Sequence, residues 1–227
     1  MKKNIIGIIL ARKNSKRIKN KNLVILNNKA MIRYSIESLK ESKLLKNIFV
    51  SSDCREIKKI SKKYNVNFID RPKNLCKDNS TSEKALEHSI SLIQKKISID
   101  TVVFLQPTSP YRPSGVIDRA LKRFYLKKAD SLFSSSNFVN HIWERKNNKL
   151  KPINYNFKKR KMDQAKKSQI NENGSFYIFD SKKFMIYKNR LFGKILDFEI
   201  ETKYSYQVDE KEDVLILNSL LKKSKLL

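Results

Sequence analysis

Cysteine is almost missing from this 227-residue chain. Its two thiols, Cys54 and Cys76, cannot build a disulfide framework, and no CxxC or Cys/His spacing suggests zinc, so both read as packed bystanders. Four glycines and five prolines exclude collagen-like and low-complexity classes. No apolar stretch approaches the ~18 residues of a membrane span, so no membrane partner is expected. Acidic residues are also scarce: 22 Asp and Glu face 50 Lys and Arg, a formal net charge of +28 and a sequence pI of about 10.0. What is present is enough to fold, since 40% hydrophobic and 10% aromatic content argues against disorder, and the length suits one sizeable domain.

The charge alone is weak evidence of function. Lysines are scattered along the whole chain, as on an ordinary solvated surface, and no zinc-finger or RNA-recognition pattern makes nucleic acid an expected partner. One segment does concentrate charge: residues 140–170 hold ten Lys and Arg against two acids, with Trp143, Tyr155 and Phe157 among them. A basic polyanion-binding protein therefore stays as a rival reading, one that salt dependence would expose. At the N-terminus, Lys2-Lys3 and the apolar run to Ala11 imitate a short export signal. Arg12, Lys13, Lys16 and Arg17 follow at once without a small-residue cleavage site, so the run reads as a buried first strand and a cytoplasmic protein is expected.

Short apolar runs alternate with stretches of helical period. Ile5–Leu10, Ile48–Ser51, Val66–Ile69 and Thr101–Leu105 read as strands. Met31–Leu45, the Ile57/Ile60/Tyr64 set, Leu86/Ile90/Ile93/Ile97 and Ile117/Ala120/Leu121/Phe124 read as helices. The alternation predicts an α/β fold with a mostly parallel sheet and helices on both faces. A polar, basic excursion at about 138–172 interrupts it. Ser175–Phe179 and Tyr204–Val208 follow as expected strands, and Asp213–Leu221 as a closing helix. Ligands of such sheets sit beyond the carboxyl ends of the strands, here just after Leu10, Ser52, Leu105 and Val208.

The segment after Leu10 carries Arg12, Lys13, Lys16, Arg17, Lys19 and Lys21 among polar residues. A loop of this kind can wrap a polyphosphate with backbone N–H groups while its cations neutralise charge. A lysine-rich chain makes basic loops often, and spacing is what distinguishes this one. Arg12, Ser15, Lys16, Ile18, Lys21 and Asn22 fall in the register A-R-G-G-S-K-x-I-x-x-K-N. Ser51-Ser52-Asp53, Arg71-Pro72 with Leu75, Leu105-Gln106-Pro107-Thr108-Ser109-Pro110 with Arg112, Asn173-Gly174-Ser175 with Tyr177, and Val208-Asp209 with Glu212-Asp213 follow in order. Over almost its whole length the chain thus resembles the cytidylyltransferases that activate nonulosonic acids, the CMP-N-acetylneuraminate (sialic acid) synthetase family.

The resemblance implies one Rossmann-like nucleotidyltransferase domain over residues 1–227 that joins CTP to a nonulosonic acid of the N-acetylneuraminate, legionaminate or pseudaminate type and releases pyrophosphate with Mg2+. It implies a homodimer whose mid-chain excursion reaches the partner. Arg12 and Lys16 would bind the triphosphate, Lys21 would lie by the phosphates and Asn22 by the nucleotide. Arg71 and Ser82 would meet the cytidine and ribose, Gln106, Asn173 and Tyr177 would serve the sugar, and Asp209 would hold the metal. Chemistry of this kind needs positioning and charge neutralisation more than covalent help, which suits cations plus a hard metal with one or two carboxylates. An Asp at this place is also a natural helix N-cap.

Several positions depart from the pattern. Lys13 and Asn14 replace paired glycines, so close approach to phosphate turns on whether Asn14 takes a left-handed conformation. Arg17 stands where glycine is frequent, Gln207 where a second acid is common, and only Gln164 matches a sugar-site segment before Asn173. His88 and His141 match no motif and read as helix-face and loop residues. The Gln106-Pro107-Thr108 stretch differs from the Q-G-D of enzymes activating the eight-carbon acid KDO, the nearest enzymatic alternative. No Asp-x-Asp points to a glycosyltransferase.

Overall fold

A computed structural model describes residues 3–137, 140–159 and 169–223; Gln164 lies outside them. The chain runs through β1 (Ile5–Leu10), a small antiparallel pair β2 (Ile25–Leu26) and β3 (Lys29–Ala30), α1 (Met31–Glu41), β4 (Asn47–Ser52), α2 (Arg55–Lys63), β5 (Asn67–Asp70), α3 (Ser82–Gln94), β6 (Thr101–Leu105) and α4 (Val116–Leu126). It continues with β7 (Ser131–Asn137), β8 (Trp143–Lys146), β9 (Lys149–Pro152), β10 (Ile170–Asp180), α5 (Ser181–Tyr187), β11 (Ile195–Glu199) and α6 (Lys211–Lys223).

Seven strands form one sheet in the order β11-β7-β10-β6-β1-β4-β5. β1 pairs in parallel with β4 and β6, β4 with β5, and β7 with β11, whereas β10 runs antiparallel to both β6 and β7. This is the expected α/β architecture with one reversed strand. Strand periodicity sends alternate side chains to opposite layers. Ile5 and Ile9 with Val103 and Leu105 pack against Ile32, Ile36 and Leu39 of α1 and Leu121 of α4. Ile6 and Ile8 with Val102 and Phe104 meet Leu86, Ile90 and Ile93 of α3 and Phe184 of α5. Gly7 is needed for the first layer, because a Cβ there would lie 2.7 Å from Leu39 Cδ1. Truncating one of these fully buried aliphatics to Ala should cost about 2–5 kcal/mol.

Several expected elements differ. Tyr204–Val208 is no sheet strand: Thr202–Tyr204 forms a 3-10 turn, and the rest crosses the strand ends, with the Val208 N–H donating to Thr108 O at 2.7 Å. α1 stops at Glu41 rather than Leu45. The basic excursion contains the antiparallel β8–β9 hairpin. Three elements had no strong signal. β7 is serine-rich, α5 has only two turns, and β11 is a short edge strand.

Candidate active site

The carboxyl ends of β1, β5 and β6 open into a cavity of about 590 Å³, lined by the loop after β1, the segment from Arg71 to the start of α3, the segment after β6 and the crossing chain at Gln207 and Asp209. Parallel strands place those loops at one edge, so residues far apart in sequence converge there. Of the expected site residues, Arg12, Lys16, Lys21, Asn22, Arg71, Ser82, Gln106 and Asp209 all line it. Asn173 and Tyr177 do not. They are 1% and 4% exposed and sit next to lining residues, Asn173 through its carbonyl to Gln207 Nε2 and Tyr177 through its ring stacked on Phe104.

The basic loop is held from two sides. Asp53 Oδ1 accepts the Lys13 N–H at 2.7 Å, and Asn22 Nδ2 donates to Arg12 O at 2.9 Å. Asn22 therefore shapes the loop as well as lining the cavity. Asn14 is not among the residues with positive φ; the left-handed residue of this segment is Asn20, at φ 53°, which starts the 3-10 turn over Lys21–Leu23. Arg12 Nη1 and Lys16 Nζ converge on Asp78, at 2.9 and 3.2 Å. Lys16, then Arg12, hold the Asp78 carboxyl below the usual carboxylate range.

Arg71 is 7% exposed and crosses the end of β4, with Nε donating to Ser51 Oγ at 3.1 Å and Nη2 to Ser51 O at 2.6 Å. Burial lowers its pKa, yet a guanidinium remains charged at neutral pH. Ser82 opens α3, where Thr81 Oγ1 accepts the Lys84 N–H at 3.3 Å, so the positive end of a 13-residue helix borders the cavity. His88 lies further along α3; burial first, and Arg71 second, lower its pKa, favouring a neutral helix-face residue. Cys54 and Cys76 are both free thiols.

Asp209 is the acidic centre. Its Oδ1 accepts from Lys21 Nζ at 2.9 Å and Arg17 Nη2 at 3.0 Å, and Lys21 Nζ also donates to Val208 O at 3.0 Å. Asp213 Oδ2 accepts the N–H groups of Asp209 and Glu210, each at 2.7 Å, while the Asp209 carboxylate pairs with Lys21 and Arg17 and lines the cavity. Gln207, in the place of a second acid, donates from Nε2 to Asn173 O at 2.7 Å. No cluster of three or more His, Cys, Asp or Glu that could hold a metal occurs among the described residues, so a metal at Asp209 would draw further ligands from the oxygens of a bound phosphate chain and from water.

Sequence reasoning gave Arg17 and Gln207 only as departures and did not single out Asp78. Asp78 had no motif to mark it. Its role follows from a loop that returns to face Arg12 and Lys16 from over sixty residues away.

A mostly parallel α/β sheet whose strand ends carry cations, a helix N-terminus and the carboxylates of Asp78 and Asp209 defines a nucleotide-handling enzyme of the nucleotidyltransferase class. The family model described as Cytidylyltransferase matches residues 6–224, and the chain belongs to this family. Post-translational flagellin modification protein B of Campylobacter coli is 30% identical over 231 residues, covering 98% of this chain and 97% of that one. A pseudaminic acid cytidylyltransferase of Campylobacter jejuni (serotype O:23/36, strain 81-176) is 31% identical over 180 residues, 78% of this chain and 68% of that one. Among solved structures, a CMP:2-keto-3-deoxy-manno-octonic acid synthetase complexed with CTP superposes with a TM-score of 0.74 at 14% identity, covering 97% and 99% of the two chains, a likeness of fold alone.

Proposed function

We propose that the protein transfers CMP from CTP to a nonulosonic acid, releasing pyrophosphate, with pseudaminate the foremost acceptor. The observation that carries this reading is the convergence of Arg12, Lys16, Lys21, Arg71 and Gln106 on one cavity of a cytidylyltransferase chain whose long-range relatives include enzymes named for pseudaminic acid.

Arg12 and Lys16 exchange Asp78 for the triphosphate, bringing two cations onto the groups that gain charge in the transition state. Lys21, held at the Val208 carbonyl, keeps its ammonium beside Asp209 and the phosphates. Arg71 and Ser82 orient the nucleoside with Asn22 fixing the loop above it. Gln106 meets the acceptor, while buried Asn173 and Tyr177 hold the lining residues Gln207 and Phe104. Asp209, which lines the cavity, would hold Mg2+. When bound, that ion supplies charge neutralisation at the phosphates.

Outside the cavity, the β8–β9 region exposes Trp143, Leu150, Ile153 and Phe157, with Trp143 packed on Tyr155 and Phe157. This apolar cluster supports a homodimer. Among the described residues no helix is long and apolar enough to cross a membrane, and a cytoplasmic biosynthetic enzyme fits the substrates proposed.

The test is pyrophosphate release with Mg2+ across pseudaminate, legionaminate, N-acetylneuraminate and KDO, with ATP, GTP and UTP in place of CTP as controls. Turnover restricted to CTP and fastest with pseudaminate is expected. No release with any acid from folded protein would overturn the reading.

A further inference from the structure

Between Glu172 and Tyr177 the pairing of β10 with β7 slips, a bulge that withdraws residues 173–175 from that ladder. Two side chains take up carbonyls of this bulge. Gln207 Nε2 donates to Asn173 O at 2.7 Å, and Arg112 Nη2 donates to Ser175 O at 2.7 Å. The same Arg112 nitrogen donates to Gln106 O at 2.7 Å, and its Nη1 reaches Ser35 Oγ on α1 at 3.1 Å. Gly174 sits between, at φ +67°, with Gln106 Oε1 and Gln207 Nε2 only 2.7 and 3.0 Å from where a Cβ would be.

Arg112 itself does not line the cavity. No carboxylate forms an ion pair with it among the described residues, and its Nε is shut off from solvent without a partner. Burial pulls the guanidinium down to about 9, so it carries its charge at neutral pH. A cation withdrawn from water without a counter-ion is costly, and this one directs its donors at backbone carbonyls of two segments. A planar fork can span them in fixed geometry; an ammonium on a flexible stem cannot.

We infer that Arg112 is a positioning residue for the acceptor: by tying the end of β6 to the β10 bulge it sets where the Gln106 side chain stands over Gly174, and so governs acceptor recognition without touching substrate. This deepens the proposed function and rests on its placement of Gln106.

The experiment compares Arg112→Lys, Arg112→Gln and the milder Ser35→Ala with wild type, measuring KM for CTP and for the acceptor separately, kcat, and the thermal midpoint. Both Arg112 variants should raise acceptor KM about tenfold or more while CTP KM stays within about twofold, since small misplacements of a positioning group act on the partner it orients. Lysine should not rescue, and Ser35→Ala should shift acceptor KM in the same direction by less. A folded Arg112→Lys enzyme with unchanged acceptor KM, or with both KM values raised alike, would overturn the inference. If both Arg112 variants fail to fold, Ser35→Ala decides by the same split. Absence of wild-type turnover with every acid would instead remove the acceptor assignment of Gln106 first, and this inference with it.

Discussion

The two sides of the cavity are built differently. On the side proposed for the nucleotide, half-buried Arg12 and exposed Lys16 and Arg17 stand on one loop and pair with Asp78, Asp209 and Glu210. On the side proposed for the acceptor, Gln106 and Gln207 lie by the β10 bulge, whose polar groups and neighbouring buried serines are tied by short hydrogen bonds, such as Ser134 Oγ to Asn173 Oδ1 at 2.6 Å. Exposed ion pairs contribute little to stability and exchange partners readily, which suits groups that must move onto phosphates. Buried polar networks are rigid because leaving a member unpaired is costly, which suits discrimination between similar sugars. The exposed cations of the nucleotide side should therefore lose rate without stability when mutated, and the acceptor side should lose both.

The largest effect is expected at the charged groups. Lys16→Ala and Asp209→Ala should each lower kcat about 10²–10³-fold or more, with the thermal midpoint nearly unchanged for exposed Lys16 and lowered for Asp209, whose loss leaves buried Lys21 without its carboxylate, as purified-enzyme kinetics and calorimetry would show. Near-wild-type rates would remove both assignments. Gly174→Ala comes next and should break the contrast from the other side. A left-handed residue with Gln106 in the way of its Cβ should lose about 1–2 kcal/mol in denaturant unfolding, with acceptor KM rising more than CTP KM.

Trp143→Ala sharpens the comparison by leaving both sides intact. It should weaken self-association in light scattering at micromolar concentration while preserving the fold, since an exposed aromatic contributes most at an interface. The smallest effect belongs to Asp78→Asn, which frees Arg12 and Lys16 and should lower CTP KM by up to about fivefold. Because the Asp78 carboxyl is held below the ordinary range, its pairing is present above that range and lost only as the pH falls through the lowered value. The mutant's advantage should thus be constant from about pH 6 to pH 9. An advantage that varied across that window would assign the competition to another group.

Much of the fold was legible because burial on two faces forces continuous apolar strands such as Ile5–Leu10 and Thr101–Leu105, and helices on the sheet must repeat at Leu86, Ile90 and Ile93. β7 escaped that logic. Its buried Ser131 and Ser135 are satisfied by Phe192 O and Asp197, partners that no local pattern predicts. Tyr204–Val208 misled in the opposite way, since its period-two pattern serves a chain crossing the strand ends instead of a ladder.

The sequence by itself determined the layered α/β order, the basic loop and the spacing of Arg12, Lys16, Lys21 and Asp209, because hydrophobic periodicity and motif register are properties of the chain. Only the tertiary structure decided that Asp213 takes the N–H groups leading into α6 while Asp209 pairs with Lys21, that Asn173 and Tyr177 are buried off the cavity lining, and that Arg112 joins the end of β6 to β10. Those outcomes depend on which polar groups lose water and which partners remain within hydrogen-bond reach. That is fixed by packing between distant segments and not by neighbours in sequence.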